Sequence, residues 1–147
     1  MAKGLYYEDF ILDASFESPS RTITETDIVN FSALSGDWNP IHTDAEFAKS
    51  TPFKERIAHG LLGLTISSGL SMRTGVFDGT LVAFLGMQWR FTAPIKIGDT
   101  IRQRSVVREK KESKNKDRGV VSFAIQILNQ RSEVVQEGTR TVMMKRK

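Results

Sequence analysis

The sequence contains no cysteine. Disulfides, zinc–thiolate centres and thiol nucleophiles are therefore excluded. Histidine is scarce as well. His42 and His59 are the only two, which leaves little room for a metal site built on imidazoles, and no metal ion or redox cofactor is expected. No stretch reaches the roughly 20 consecutive apolar residues that a membrane span requires. The longest candidate, residues 57–72, is interrupted by glycines and hydroxyl side chains. Residues 1–9 lack the apolar core of a signal peptide. These absences lead to an expectation of a cytoplasmic protein with no membrane partner.

What is present is ordinary for a globular domain: 147 residues, 39% hydrophobic and 26% charged. That length suits a single domain, 1–147. It is also long enough to bury a core without a covalent or metal staple. The net charge of +4 is unevenly placed, because residues 102–118 hold eight basic and three acidic side chains. The ordinary reading of such a run is a solvated loop. Two others are a surface for a phosphate-bearing small molecule and a nucleic-acid surface. No aromatic residue falls between Ile101 and Arg118, so the stacking platform of a single-strand binder is missing, and no nucleic-acid partner is expected.

Helical patterns come first along the chain and strand patterns last. Residues 1–20 read as irregular and anchored by aromatics. Thr24 reads as a helix N-cap, with Glu25 and Asp27 placed to suit the helix dipole. That helix should end at Ser35–Gly36. A short helix over 44–49 follows and is broken by Thr51–Pro52. The most apolar helix, 57–74, has several apolar faces and is expected to be mostly buried. Beyond Gly79 strands are expected over 81–91, 100–110, 119–128 and 133–144, with a charged loop at 111–118 and a hairpin turn at 129–132. In 119–128, Val121, Phe123, Ile125 and Ile127 share one face. The order predicts an α+β fold, an antiparallel sheet wrapped around a long buried helix. Such a sheet has open edges, and a homodimer or higher homo-oligomer that extends the sheet is expected.

The segment richest in chemistry is Gly36-Asp37-Trp38-Asn39-Pro40-Ile41-His42. Five residues along a straight helix would turn the carboxylate and the imidazole away from one another. Pro40 prevents a regular helix here, and Asn39 before it is extended. A turned loop can bring both to one side as an acid/base pair. The same residues are also good turn formers, so Asp37 could simply cap the next element.

Taken whole, Ser35-Gly36-Asp37-Trp38-Asn39-Pro40-Ile41-His42 resembles the active-site motif of the MaoC-like dehydratases, the (R)-specific enoyl-CoA hydratase (hydratase 2) family. Asp44-Ala45-Glu46-Phe47-Ala48 continues the likeness. A second block, Ile57-Ala58-His59-Gly60-Leu61-Leu62, is similar to the family's Ile-x-His-Gly stretch, and Ser68-Gly69-Leu70 and Tyr6 to Phe10 also fit. The resemblance implies a hot-dog fold. It also implies hydration of trans-2-enoyl thioesters, or dehydration of (R)-3-hydroxyacyl thioesters, carried on coenzyme A or an acyl carrier protein. Asp37 and His42 would be the catalytic pair, their division of labour left open. The Gly60 backbone N–H would hold the thioester oxygen, and Asn39 and Ser68 would support the pair. Gly60 reads equally as a site of tight helix packing, and Ser68 as a small residue filling a helix–sheet contact. His59 reads as a structural residue at a helix start. Competing functions are a hot-dog acyl-CoA thioesterase and a non-catalytic acyl-thioester-binding subunit.

Overall fold

The structure, a computed structural model, describes residues 4–147. The first three residues, part of the terminus read above as free of a signal core, lie outside the described residues. The elements run as a 3-10 turn (Tyr7–Asp9), β1 (Ser15–Glu17), β2 (Arg21–Thr22), α1 (Glu25–Ser35), α2 (Pro40–Thr43), α3 (Ala45–Ser50), α4 (Gly60–Met72), β3 (Leu81–Phe91), β4 (Thr100–Glu112), β5 (Arg118–Leu128) and β6 (Val134–Lys145). The sheet is antiparallel in the order β1-β4-β5-β6-β3, with β2 paired to the start of β4. The α+β expectation, a sheet wrapped around a long helix, is met.

Side-chain alternation decides which way the sheet curls. Val121, Phe123, Ile125 and Ile127 of β5 are all buried, while Ser122 and Gln126 between them face outward. They form the inner face together with Val142 and Met144 of β6 and Val107 and Ile101 of β4. One end of this face packs against Tyr7, Phe10 and Phe77. The other packs against Leu62 and Leu70 of α4 and Ile28 of α1. Polar bonds fix α4 on the sheet. Ser67 donates to the Gln103 side chain at 2.6 Å, and the Gln136 amide donates to the Gly60 carbonyl at 2.9 Å. Gly63 allows the close approach, since a Cβ there would fall 2.5 Å from Gln136 Nε2.

Helix α1 begins and ends as its sequence predicts. The Thr24 hydroxyl accepts from the Asp27 amide, and the Asp27 carboxylate reaches back to the Thr24 amide, a capping box built with aspartate. Gly36 closes the helix at φ 78°, where its N–H reaches the Ser32 carbonyl.

Other expectations need correction. Residues 1–20 are not wholly irregular. They contain the 3-10 turn and β1, because the outer edge of β4 offers unpaired backbone groups to Ser15–Glu17. The helix expected over 57–74 is shorter. Ile57 bridges to Lys96 and the Ala58 amide donates to the Ile95 carbonyl, so that stretch is extended until Gly60. Nor is α4 buried all round. Leu62, Gly63, Ser67, Leu70 and Ser71 are covered, but Leu61 and Met72 are exposed. Pro40 does not exclude a helix. It sits in the first turn of α2, where its missing N–H costs nothing. The charged loop expected at 111–118 shrinks, because β4 runs on to Glu112 and β5 starts at Arg118. No helix among the described residues is long and apolar enough to cross a membrane.

Candidate active site

The turn between α1 and α3 is held by its own side chains. The Asp37 carboxylate accepts from the Asn39 amide at 3.1 Å, and the Asn39 side chain accepts from the Ile41 amide at 3.2 Å, capping α2. Thr43 donates back to the Trp38 and Asn39 carbonyls. The one turn of α2 then brings His42 round to the side of Asp37. Asn39 therefore acts here through the backbone it fixes.

The orientation of His42 follows from a single bond. Its Nδ1 lies 2.7 Å from the Ile57 carbonyl. A carbonyl only accepts, so Nδ1 carries the proton and Nε2 keeps a lone pair. Burial holds the His42 pKa below the ordinary histidine value. The Ile57 carbonyl and Asp37 pull it up, and the neighbouring His59 pushes it down. The net shift is downward, so the ring is a neutral base at pH 7.

His59 lies directly beneath. It is 3% exposed, and its ring stacks on that of His42 with centroids 3.8 Å apart. Its Nε2 donates to the Asp37 backbone carbonyl at 3.0 Å, with the Ser32 hydroxyl 3.3 Å away. One buried ring therefore fixes both the Asp37 backbone and the plane of His42. The sequence reading gave His59 a structural part at a helix start, and it is the N-cap residue of α4. Its contact with both members of the pair was not anticipated. The available signal was its place directly before Gly60 in the second block. Asp37, His42 and His59 each offer one ligand atom, all within 4.8 Å of one another. These three are therefore also where a cation would find donors, though Nδ1 of His42 and Nε2 of His59 are engaged as hydrogen-bond donors.

His42 and Gly60 line one cavity of about 520 Å³ with Phe53, Leu61, Phe91 and Pro94. The Gly60 amide is among those that a helix start leaves without an intrahelical partner, and it sits at the positive end of the α4 dipole. A Cβ on Gly60 would fall 2.7 Å from the Phe91 ring, which fits the close-packing reading of this glycine. Ser68 is elsewhere. Eight residues further along α4, about 12 Å at the helical rise, it lines a second cavity with Leu64, Thr65, Met87, Trp89 and Arg140. The structure thus groups Asp37, Asn39, His42 and Gly60 and sets Ser68 apart.

The basic run does not border the His42 cavity. Much of it lies along β4 and is paired locally, Arg108 with Asp13 and Lys111 with Glu109. Lys110 donates to the Phe10 carbonyl and lies over the Tyr7 ring.

Residues 10–126 match the model of the MaoC-like domain family. An (R)-specific enoyl-CoA hydratase of Rhodospirillum rubrum is 40% identical over 97 residues, covering 65% of this chain and 65% of that protein. Protein MaoC of Klebsiella aerogenes is 40% identical over 106 residues, covering 71% of this chain and 31% of its own length. The chain thus spans about a third of one of these relatives and just under two thirds of the other. Among solved structures, a monoamine oxidase regulatory protein from Archaeoglobus superposes with a TM-score of 0.91 at 34% identity, covering 99% of this chain and 97% of that one. The sheet wrapped round α4 is the hot-dog fold.

Proposed function

Since the chain belongs to the MaoC-like dehydratase family, we propose that it is a hydro-lyase that hydrates trans-2-enoyl thioesters to (R)-3-hydroxyacyl thioesters and runs the reverse dehydration. The observation that carries this reading is the bond from His42 Nδ1 to the Ile57 carbonyl. It leaves Nε2 as an unprotonated base, on a ring that offers a nitrogen within 4.8 Å of an Asp37 carboxylate oxygen. The relatives named (R)-specific enoyl-CoA hydratase and 3-hydroxybutyryl-CoA dehydratase support it.

In the proposed reaction, a water is held between the Asp37 carboxylate and His42 Nε2. Its oxygen bonds to the β-carbon while Nε2 takes one of its protons. The electron pair of the double bond moves toward the thioester, and the oxygen of that group gains charge. The Gly60 N–H, at the positive end of α4, stabilises that charge. The proton on Nε2 is then given to the α-carbon, and His42 returns to its starting state. Asn39 holds the turn that positions the pair, and Ser68 belongs to the acyl end of the substrate. The thioester carrier is the only cofactor-like group this scheme uses, and it calls for no metal. Stereochemical analysis of the product formed from crotonyl-CoA tests the reading. (R)-3-hydroxybutyryl-CoA is expected, and the (S) product or free coenzyme A would contradict it.

The His42 environment predicts a pH dependence. Its folded pKa is lowered, so the base form persists into mildly acidic solution. The acid limb of hydration kcat/KM should therefore be centred below the ordinary histidine value of about 6.5. An acid limb centred above neutrality would remove His42 Nε2 as the base.

We also propose a homodimer. β3 is an edge of the sheet, and its Val82, Phe84, Leu85, Met87 and Phe91 are exposed together with Leu61 on α4. So much apolar surface on an open edge suits pairing with the same strand of a second copy. Sedimentation should give twice the 16.5 kDa chain mass, and Leu85→Arg should shift the protein toward single chains. A wild-type protein that sediments as one chain at micromolar concentration would overturn this assignment.

A further inference from the structure

Arg140 is a cation in an unusual place. It stands on β6 opposite Phe123 of β5, on the inner face of the sheet, and is only 5% exposed. Its Nη1 donates to the Ser71 hydroxyl at 3.2 Å. Its guanidinium lies over the Phe77 and Phe123 rings, 5.2 and 6.0 Å from their centroids. Among the described residues, Nε and Nη2 find no acceptor, and no ion pair includes Arg140. A guanidinium stays charged at neutral pH even where burial lowers its pKa to about 10, as here. A buried charge without a counter-charge is strongly disfavoured, and unpaired polar atoms of this kind mark places where a partner is absent.

Arg140 also lines the cavity of about 270 Å³ between α4 and β3. The other walls are Leu64, Phe84, Met87, Trp89 and Ile125, with Ser68 and Thr65 at the helix side. The remaining amide in that wall is already satisfied, since Gln103 accepts from Ser67 and donates to Ser105. The cavity wall is therefore mostly apolar, and Arg140, with Nε and Nη2 unpartnered among the described residues, is the one charged side chain that lines it. That is the complement of an aliphatic chain ending in a carboxylate, which takes two parallel bonds from one guanidinium. The cavity follows the cavity at Gly60 along the same seam: Gly60, Leu61 and Phe91 line the first, and Leu64, Thr65, Ser68, Trp89 and Met87 line the second.

We propose that Arg140 binds a carboxylate at the far end of the acyl chain, so that the preferred substrates are thioesters of dicarboxylic acids. The proposal rests on the hydratase reading for its reaction but not for its binding site. Calorimetric titration with pairs of saturated thioesters of equal length tests it: succinyl- against butyryl-CoA, adipoyl- against hexanoyl-CoA, suberoyl- against octanoyl-CoA. The carboxylate-ended member should bind about tenfold or more tightly at the length that reaches Arg140, the weight of a charge-assisted pair. Arg140→Met, which keeps most of the side-chain length, should abolish the preference, and Arg140→Lys should retain part of it. A wild-type protein showing no carboxylate preference at every length, absence of binding included, overturns the proposal without recourse to any variant. Turnover of the matching trans-2-enoyl thioesters separates the two claims. Hydration of methyl-ended chains with no carboxylate preference rejects the Arg140 site alone. A carboxylate preference in binding with no hydration of any chain rejects the hydratase reading and leaves the Arg140 site standing.

Discussion

Asp37→Asn is expected to lower the rate of crotonyl-CoA hydration by about a hundred- to ten-thousand-fold, the range general acid–base groups contribute. The amide keeps the shape of the side chain, and its oxygen still accepts from the Asn39 amide, so the turn survives. What is lost is the negative charge that, in the proposed reaction, holds the water and offsets the proton gained by His42. Asp37 is exposed and belongs to neither core cluster, so thermal unfolding should move by no more than a degree or two, as for surface positions in general. A variant with wild-type turnover would remove Asp37 from the mechanism. A variant that lost activity together with several degrees of melting temperature would show a structural part instead.

His42→Gln should cost a similar factor for a different reason. Glutamine can still donate to the Ile57 carbonyl, the bond that His42 makes at 2.7 Å, but its amide has no basic nitrogen to accept the water proton. The stacking on His59 is also lost. The discriminating readout is the pH profile. Residual activity in this variant should lack the acid limb assigned to His42, because the group that titrates there is gone. Retention of the limb would place it on another residue. The two losses should also combine to less than their product, since in the proposed reaction Asp37 and His42 act on one water.

The legibility of this site in the sequence follows the range of the interactions. Thr24, Gly36 and the alternation of Val121, Phe123, Ile125 and Ile127 act over a few residues, so a local pattern predicts them correctly. The Asp37–His42 turn is likewise local, with Asn39 and Pro40 shaping it. The start of α4 is not local. Ile57 and Ala58 continue the helical pattern, but backbone pairing with Ile95 and Lys96, almost forty residues on, takes them. The same holds for His59, whose bonds reach back to Ser32 and Asp37. Arg140 was invisible for this reason too. In Glu137-Gly138-Thr139-Arg140-Thr141 it looks like one more polar strand residue, and only the register against Phe123 turns it inward. The exposed face of α4 escaped because an apolar helix reads as buried whether its cover comes from the same chain or from another.

The most direct test of the account is the loss of enoyl-thioester absorbance when crotonyl-CoA is mixed with the wild-type protein, Asp37→Asn and His42→Gln at matched concentration, with each melting curve recorded beside it. The account predicts rapid loss for the wild type, a rate lower by about two orders of magnitude or more for each variant, and three nearly coincident melting curves. A folded wild-type protein that leaves crotonyl-CoA and its longer trans-2-enoyl homologues unchanged would contradict it.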